Sequence, residues 1–202
     1  MQRIAARRVP VGGGRDVNDD RALTAALAAD LDGNYERVVL GFQDRLYAFA
    51  LRMCGDARDA EEITQDALVR AHRALARYPP ERRRALALRA WLYRITLNTT
   101  RNRVRGKRPP MVPLDGAGEA PAEASARPAA VLERAERARM LARLVAALPR
   151  RYRAAVVLRH VEGLSYAEIA GVLAQPEGTV KANVHRGLGL LRQALGEEED
   201  AR

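Results

Sequence analysis

The side chains best placed to do chemistry lie between Ser165 and Arg192, in the stretch SYAEIAGVLAQPEGTVKANVHRGLGLLR. Ser165 and Glu168 have the spacing of a capping box, in which the hydroxyl accepts from the backbone N–H three residues on and the carboxylate reaches back. Ala167, Ile169, Ala170 and Leu173 are the expected packing surface of the helix that follows, and Gln175 and Pro176 break it. In the next helix Val180, Val184, Gly187 and Leu191 fall on one side, while Thr179, Lys181, Ala182, His185 and Arg186 point away from it. A short helix, a tight turn and a helix with a basic outer face form a helix-turn-helix pattern, which offers donors to phosphates and base edges. An ordinary helical hairpin with solvated charges would share the periodicity. The capping box, the break and the basic face together favour DNA.

Other chemistries find little footing. His72, His160 and His185 are scattered, and no nucleophile–base pair or metal-ligand cluster is visible, so no catalytic residue, metal or cofactor is expected. Cys54 is the only cysteine, which excludes an internal disulfide and a thiolate zinc site within the chain and fits a reducing compartment. Charged residues interrupt every apolar run well short of the ~20 residues that cross a membrane. Arg3, Arg7 and Arg8 precede no apolar core, so no secretory signal is read and a cytoplasmic location is expected. The formal net charge of +10 over 202 residues implies a polyanionic partner, most often nucleic acid.

The elements that must position these residues read as helices throughout. Aromatics make up 4% of the chain and alanine, leucine and arginine dominate, which favours helix over sheet; no convincing strand alternation is present. Residues 1–19, with three consecutive glycines, are expected to be a disordered arm. Leu23, Leu27 and Leu31 are spaced for one helix closed by Gly33. Tyr35 to Met53 keeps a 3.6-residue period through a second, and Gly55 stands where a C-terminal glycine belongs. Asp56 or Asp59 then caps a third, from about Ala57 to Tyr78, stopped by Pro79 and Pro80.

That third helix buries Ile63, Ala67, Ala71 and Leu75, and sets Glu62, Gln65, Asp66, Val69 and Arg73 in one opposite arc. Its acidic first half suits the helix dipole, and periodicity alone favours that account. The alternative is a docking surface for a basic partner with Val69 as its apolar contact. After a basic loop at Arg82, Arg83 and Arg84, a fourth helix from about Leu88 to Arg105 aligns Arg94, Asn98, Arg101 and Arg105 in a stripe without an acid, bordered by Trp91. Basic side chains beside an aromatic suit a surface that follows phosphates and stacks unpaired bases. Tyr93 reads better as core.

Pro- and Gly-rich residues 107–130 make a linker with Asp115, Glu119 and Glu123 at its centre. The expected architecture is all-α: two small helical domains, 20–106 and 131–196, the second a helix-turn-helix, followed by a frayed acidic tail at 197–202. Leu132–Leu148 and Arg151–Val161 are the helices that precede the motif.

Three stretches, DAEEITQDALVRAHRALARY from Asp59, AWLYRITLNTTRNRVR from Ala90 and LPRRYRAAVVLRHVEGLSYAEIAGVLAQPEGTVKANVHRGL from Leu148, together resemble the extracytoplasmic-function sigma factors of bacterial RNA polymerase. The similarity spans roughly residues 21–195, with the motifs in the family's order. It implies a dissociable initiation factor whose 20–106 domain is region 2 and whose 131–196 domain is region 4. By resemblance, Glu62, Gln65, Asp66, Val69 and Arg70 would dock on the clamp helices of the polymerase's largest subunit. Arg94, Asn98, Arg101, Asn102 and Arg105 would bind the minus-ten element, with the Tyr78–Arg89 loop capturing a flipped base. Thr179, Lys181, Ala182, His185 and Arg186 would read the minus-thirty-five element, and the same domain would touch the polymerase flap. An anti-sigma factor is a further implied partner. Ala182 and Asn183 replace a common Ser-Arg pair, Leu188 a frequent arginine and Asn102 a frequent aspartate, and Gly187 and Gly189 are each expected to weaken their helix by about 1 kcal/mol. A stand-alone helix-turn-helix regulator is the alternative, although it has no use for an acidic helix followed by a basic one. An RNA-binding protein is disfavoured by the absence of a recognisable RNA module.

Overall fold

A computed structural model of the chain describes residues 17–105 and 128–200, and every regular element among them is helical. The first half holds α1 (Val17–Ala29), α2 (Leu31–Cys54), α3 (Ala57–Ala76), α4 (Pro80–Arg84) and α5 (Leu88–Val104). The second holds α6 (Pro128–Ala147), α7 (Arg150–Val156), a π-helical turn (Val157–Val161), α8 (Tyr166–Leu173) and α9 (Glu177–Asp200).

The helix boundaries follow local chemistry. Asp30 caps α2 by accepting from the Gly33 N–H at 3.1 Å. Gly33 therefore opens α2 rather than closing α1, and a Cβ there would sit 2.2 Å from the Asp30 carboxylate. The three leucines of the expected first helix are all buried but divided across this break. Gly55 ends α2 at φ 79°, a backbone that a side chain strains, and Asp56 caps α3 through the Asp59 N–H at 2.7 Å.

Several expectations are corrected. Residues 17–19, placed in the arm, are helical; residues 1–16 lie outside the described residues, as do 106–127 of the linker. The loop at Arg82–Arg84 is the short helix α4: Pro80 supplies a pre-set φ at its start, and Arg83 pins it to the Leu27 carbonyl at 2.9 Å and the Tyr78 carbonyl at 3.0 Å. Helix α6 begins at Pro128 rather than Leu132, and α9 runs from Glu177 to Asp200.

In the first half, α2 and α3 pack on one another. Val38, Phe42, Leu46 and Phe49 meet α3, which buries Ala67, Ala71 and Leu75 as its spacing predicts. Helix α5 closes this core with Leu88, Leu92, Tyr93 and Leu97, and the Phe49 and Tyr93 rings meet edge-on at 5.1 Å between centroids. The core does not stop at α5. Leu158, Ile169, Val172 and Leu173 from the second half continue the same apolar cluster. Polar contacts reinforce this junction: Arg89 lies 3.6 Å from Glu168, and Arg153 donates to the Met53 carbonyl at 3.3 Å at the end of α2. A cation at a helix C-terminus is favoured by both the dipole and the unpaired carbonyls.

Candidate nucleic-acid interface

Helix α5 presents one face to each environment. Leu92, Tyr93, Thr96, Leu97, Thr100 and Val104 are buried, and the threonine hydroxyls are satisfied within the helix: Thr96 donates to the Leu92 carbonyl at 3.0 Å and Thr100 to the Thr96 carbonyl at 2.8 Å. Arg94, Asn98, Arg101, Asn102 and Arg105 are all exposed, and none of their side chains makes a hydrogen bond or ion pair with the described residues. The stripe is thus a row of uncommitted donors. Trp91 does not border it as a stacking platform. It is buried and packs against Tyr78, their ring centroids 6.0 Å apart, because an indole next to the α3–α5 seam has more to gain from the core than from water.

On α3, Gln65, Asp66, Val69 and Arg70 are exposed, with Val69 one of the few large apolar side chains left in solvent. Asp66 pairs with Arg70 one turn on at 3.4 Å, and Gln65 bonds Glu61. Glu62 stands apart from them. It is half-buried and is shared by Arg58 of its own helix, at 3.4 Å, and Arg103 of α5, which also holds Asp59 at 2.8 Å. The hydrogen bond that Arg103 donates to Asp59, then the charge of Glu62, push the Arg103 guanidinium's pKa up. Arg103 escaped the sequence reading because its partners lie some forty residues away, a distance that helical periodicity does not register.

The second half builds its outer face as the capping box predicts. The Glu168 N–H donates to Ser165 Oγ at 3.2 Å and the Ser165 N–H to Glu168 Oε2 at 2.8 Å. Ile169, Val172 and Leu173 bury α8, whereas Ala167 is exposed; Val172, one turn from Ile169, takes the packing position assigned to it. Ala174 ends the helix at φ 53°, a left-handed residue without a glycine, and Asn183 on α9 reaches back to Gln175 Oε1 at 3.1 Å to hold the turn. Asn183 is buried and so serves the turn, not a groove.

On α9, Val180, Val184, Gly187 and Leu191 are buried and Thr179, Lys181, His185 and Arg186 are exposed, as expected, with Ala182 half-buried at the edge. Lys181 reaches Glu177 at 2.8 Å and lies 5.5 Å over the Tyr166 ring; its hydrogen bond to Glu177 raises its pKa, so it is a fixed cation. Gly187 is not a weak point. A Cβ there would come 2.6 Å from Val156 Cγ2, so α9 approaches α7 this closely only with glycine.

The buried Cys54 thiol, pushed up in pKa by burial, donates to the Asp56 carbonyl at 3.3 Å, and no group of His, Cys, Asp or Glu among the described residues could hold a metal ion. No helix among them is long and apolar enough to cross a membrane.

Comparison with known proteins places names beside these surfaces. The family model for Sigma-70 region 2 matches residues 38–109, and that for Sigma-70, region 4 matches residues 138–191. The chain is 34% identical over 165 residues to the ECF RNA polymerase sigma factor SigE of Mycolicibacterium smegmatis, spanning 80% of this chain and 62% of that protein. It is 32% identical over 169 residues to the RNA polymerase sigma-H factor of Pseudomonas aeruginosa, spanning 80% and 86%, and 31% identical to SigW of Bacillus subtilis, spanning 76% and 84%. Among solved structures, CnrH in complex with the cytosolic domain of CnrY matches at a TM-score of 0.61 and 28% identity, over 88% of this chain and 97% of that one. RpoE in complex with the anti-sigma factor NepR from Bartonella quintana shares the fold at a TM-score of 0.58 and 22% identity, over 80% and 96%.

Proposed function

Since the chain belongs to the extracytoplasmic-function branch of the sigma-70 family, we propose that it binds core RNA polymerase and directs promoter-specific transcription initiation in the cytoplasm, contributing binding rather than catalysis. One observation carries this reading: an acidic face, a basic stripe and a capped helix-turn-helix lie in family order on α3, α5 and α8–α9, all three exposed.

Each surface takes one partner. Gln65, Asp66, Val69 and Arg70 form the docking face for the clamp helices of the largest polymerase subunit, an exposed valine set among charges. Glu62 flanks them and is held by Arg58 and Arg103. Arg94, Asn98, Arg101, Asn102 and Arg105 grip the minus-ten strand through phosphates and exposed base edges. Because Trp91 and Tyr93 are inside, stacking of the flipped base falls to the α4 side, where Arg82 already lies 3.8 Å over the Tyr78 ring. Thr179, Lys181, His185 and Arg186, with Ala182 at their edge, face the minus-thirty-five groove. Domains of 20–106 and 131–196 carry the two promoter grips, with the second also touching the flap. The similar structures hold CnrH with the cytosolic domain of CnrY and RpoE with the anti-sigma factor NepR, and a protein of the anti-sigma class is proposed as a partner here too.

Gel filtration with core polymerase, followed by transcription from a promoter library, tests the proposal. Stoichiometric co-elution and a recovered consensus with two spaced elements are expected. DNA binding without co-elution would return the chain to a stand-alone regulator.

A further inference from the structure

The junction between the two halves forms an open-mouthed cavity of about 200 Å³, between α2 and α5 on one side and α7 and α8 on the other. Its floor is apolar: Met53, Leu97, Val104, Ala154 and Leu173. Its remaining lining is dominated by four arginines, Arg101, Arg150, Arg151 and Arg153, and no carboxylate among the described residues lines it.

These four cations differ in what they already hold. Arg153 is committed, its two terminal nitrogens donating to backbone carbonyls of α2 and the α6 end, including Leu148 at 3.1 Å, while its buried Nε has no partner. Arg151 donates to the Tyr152 hydroxyl at 2.8 Å. Arg101 and Arg150 are exposed and make no side-chain hydrogen bond or ion pair among the described residues. Burial, and then the charge of Arg150, depress the Arg153 pKa.

We propose that this cavity binds a small amphipathic anion, a medium-chain carboxylate whose alkyl chain lies on the apolar floor and whose head group pairs with Arg101 and Arg150. The lining decides between anions. No aromatic side chain among the described residues faces the cavity, so a nucleotide would find nothing to stack on, and free phosphate would leave the apolar floor uncovered. A guanidinium pair and a carboxylate match in geometry and charge. The ligand touches both halves and therefore stabilises their contact by mass action.

Isothermal titration of the full chain with octanoate, 1-octanol, inorganic phosphate and AMP tests the site. Saturable one-to-one binding of octanoate is expected, roughly tenfold tighter than octanol, because a charge-assisted hydrogen bond is worth about that factor. Phosphate and AMP should bind more weakly still. Arg150→Ala, at an exposed and unpartnered position, should keep the circular dichroism and melting profile of the parent chain while weakening octanoate severalfold. Absence of saturable octanoate binding, octanol binding as tightly as octanoate, phosphate or AMP binding as tightly as octanoate, or an unchanged affinity in a folded Arg150→Ala would each overturn the proposal.

Discussion

The phenol of Tyr93, fully buried on α5, donates to the carboxylate of Glu162, which is 5% exposed and lies just after the π turn in the other half of the chain. Arg45 of α2 completes the group at 3.5 Å from the same carboxylate. Burial, followed by the charge of Glu162, drives the Tyr93 pKa far up, so the phenol remains a donor throughout the working range. Removing the donor leaves the buried carboxylate with Arg45 alone and one hydrogen bond short. Tyr93→Phe should therefore lower unfolding stability by about 1–3 kcal/mol, read from urea melts of the full chain. An unchanged midpoint would mean that the contact adds nothing to the junction.

Gly187 and Gly189 should respond in opposite directions to alanine. At Gly187 the new Cβ meets Val156 at 2.6 Å and Tyr152 Cβ at 3.3 Å, and overpacking of this kind costs about 1–3 kcal/mol. At Gly189 nothing lies within 4 Å, so alanine should stabilise α9 by about 0.5–1 kcal/mol through helix propensity. Melting temperatures of the two variants, compared with the parent chain, check the contrast; equal shifts would argue against close packing at Gly187.

Glu168 supplies a pH dependence of known sign. Burial alone would raise its pKa, but the Ser165 N–H and hydroxyl, then Arg89, outweigh burial and hold the carboxyl below its ordinary value. Its folded pKa lies below its unfolded one, so its contribution is complete above the ordinary carboxylate value and is lost as pH falls through the lowered folded value. Glu168→Gln should flatten the acid limb of the stability curve and leave the neutral region's slope unchanged. A parallel acid limb in both proteins would remove Glu168 from the acid transition.

Asp66→Arg reverses a charge in the middle of the proposed docking face and breaks only an exposed pair with Arg70. Stability should move by less than about 0.5 kcal/mol, while co-elution with core polymerase weakens. Retained co-elution at parental affinity would take Asp66 off the face.

Lys181→Ala should lower affinity for promoter DNA and make its salt dependence shallower by about one phosphate's worth, near 0.9 in the log–log slope. Anisotropy titrations at several salt concentrations measure it. The pairing with Glu177 makes this a demanding test, since Lys181 must exchange that carboxylate for a phosphate.

Within each helix the chain's own pattern sufficed. The buried stripe on α3, the capping box at Ser165, the buried side of α9 and the exposed basic stripe on α5 depend on a 3.6-residue period and on hydrogen bonds spanning three or four residues. Boundaries were less legible where a cap could be read two ways, as at Gly33 and in the arginines of α4. Trp91 went astray because an amphipathic ring at the edge of a stripe fits either side of it until its neighbour Tyr78 is placed.

The sequence by itself determined the helices, their outward faces and the family resemblance, because each of these is carried by residues close together along the chain. Only the tertiary structure decided that Arg103 reaches Asp59 and Glu62, that Glu162 is buried against Tyr93, that Gly187 is a point of contact and that the two halves share one core around an arginine-lined cavity. Those pairings join residues tens of positions apart. Which of many compatible side chains meet is set by how whole helices pack, and local periodicity carries no record of that choice.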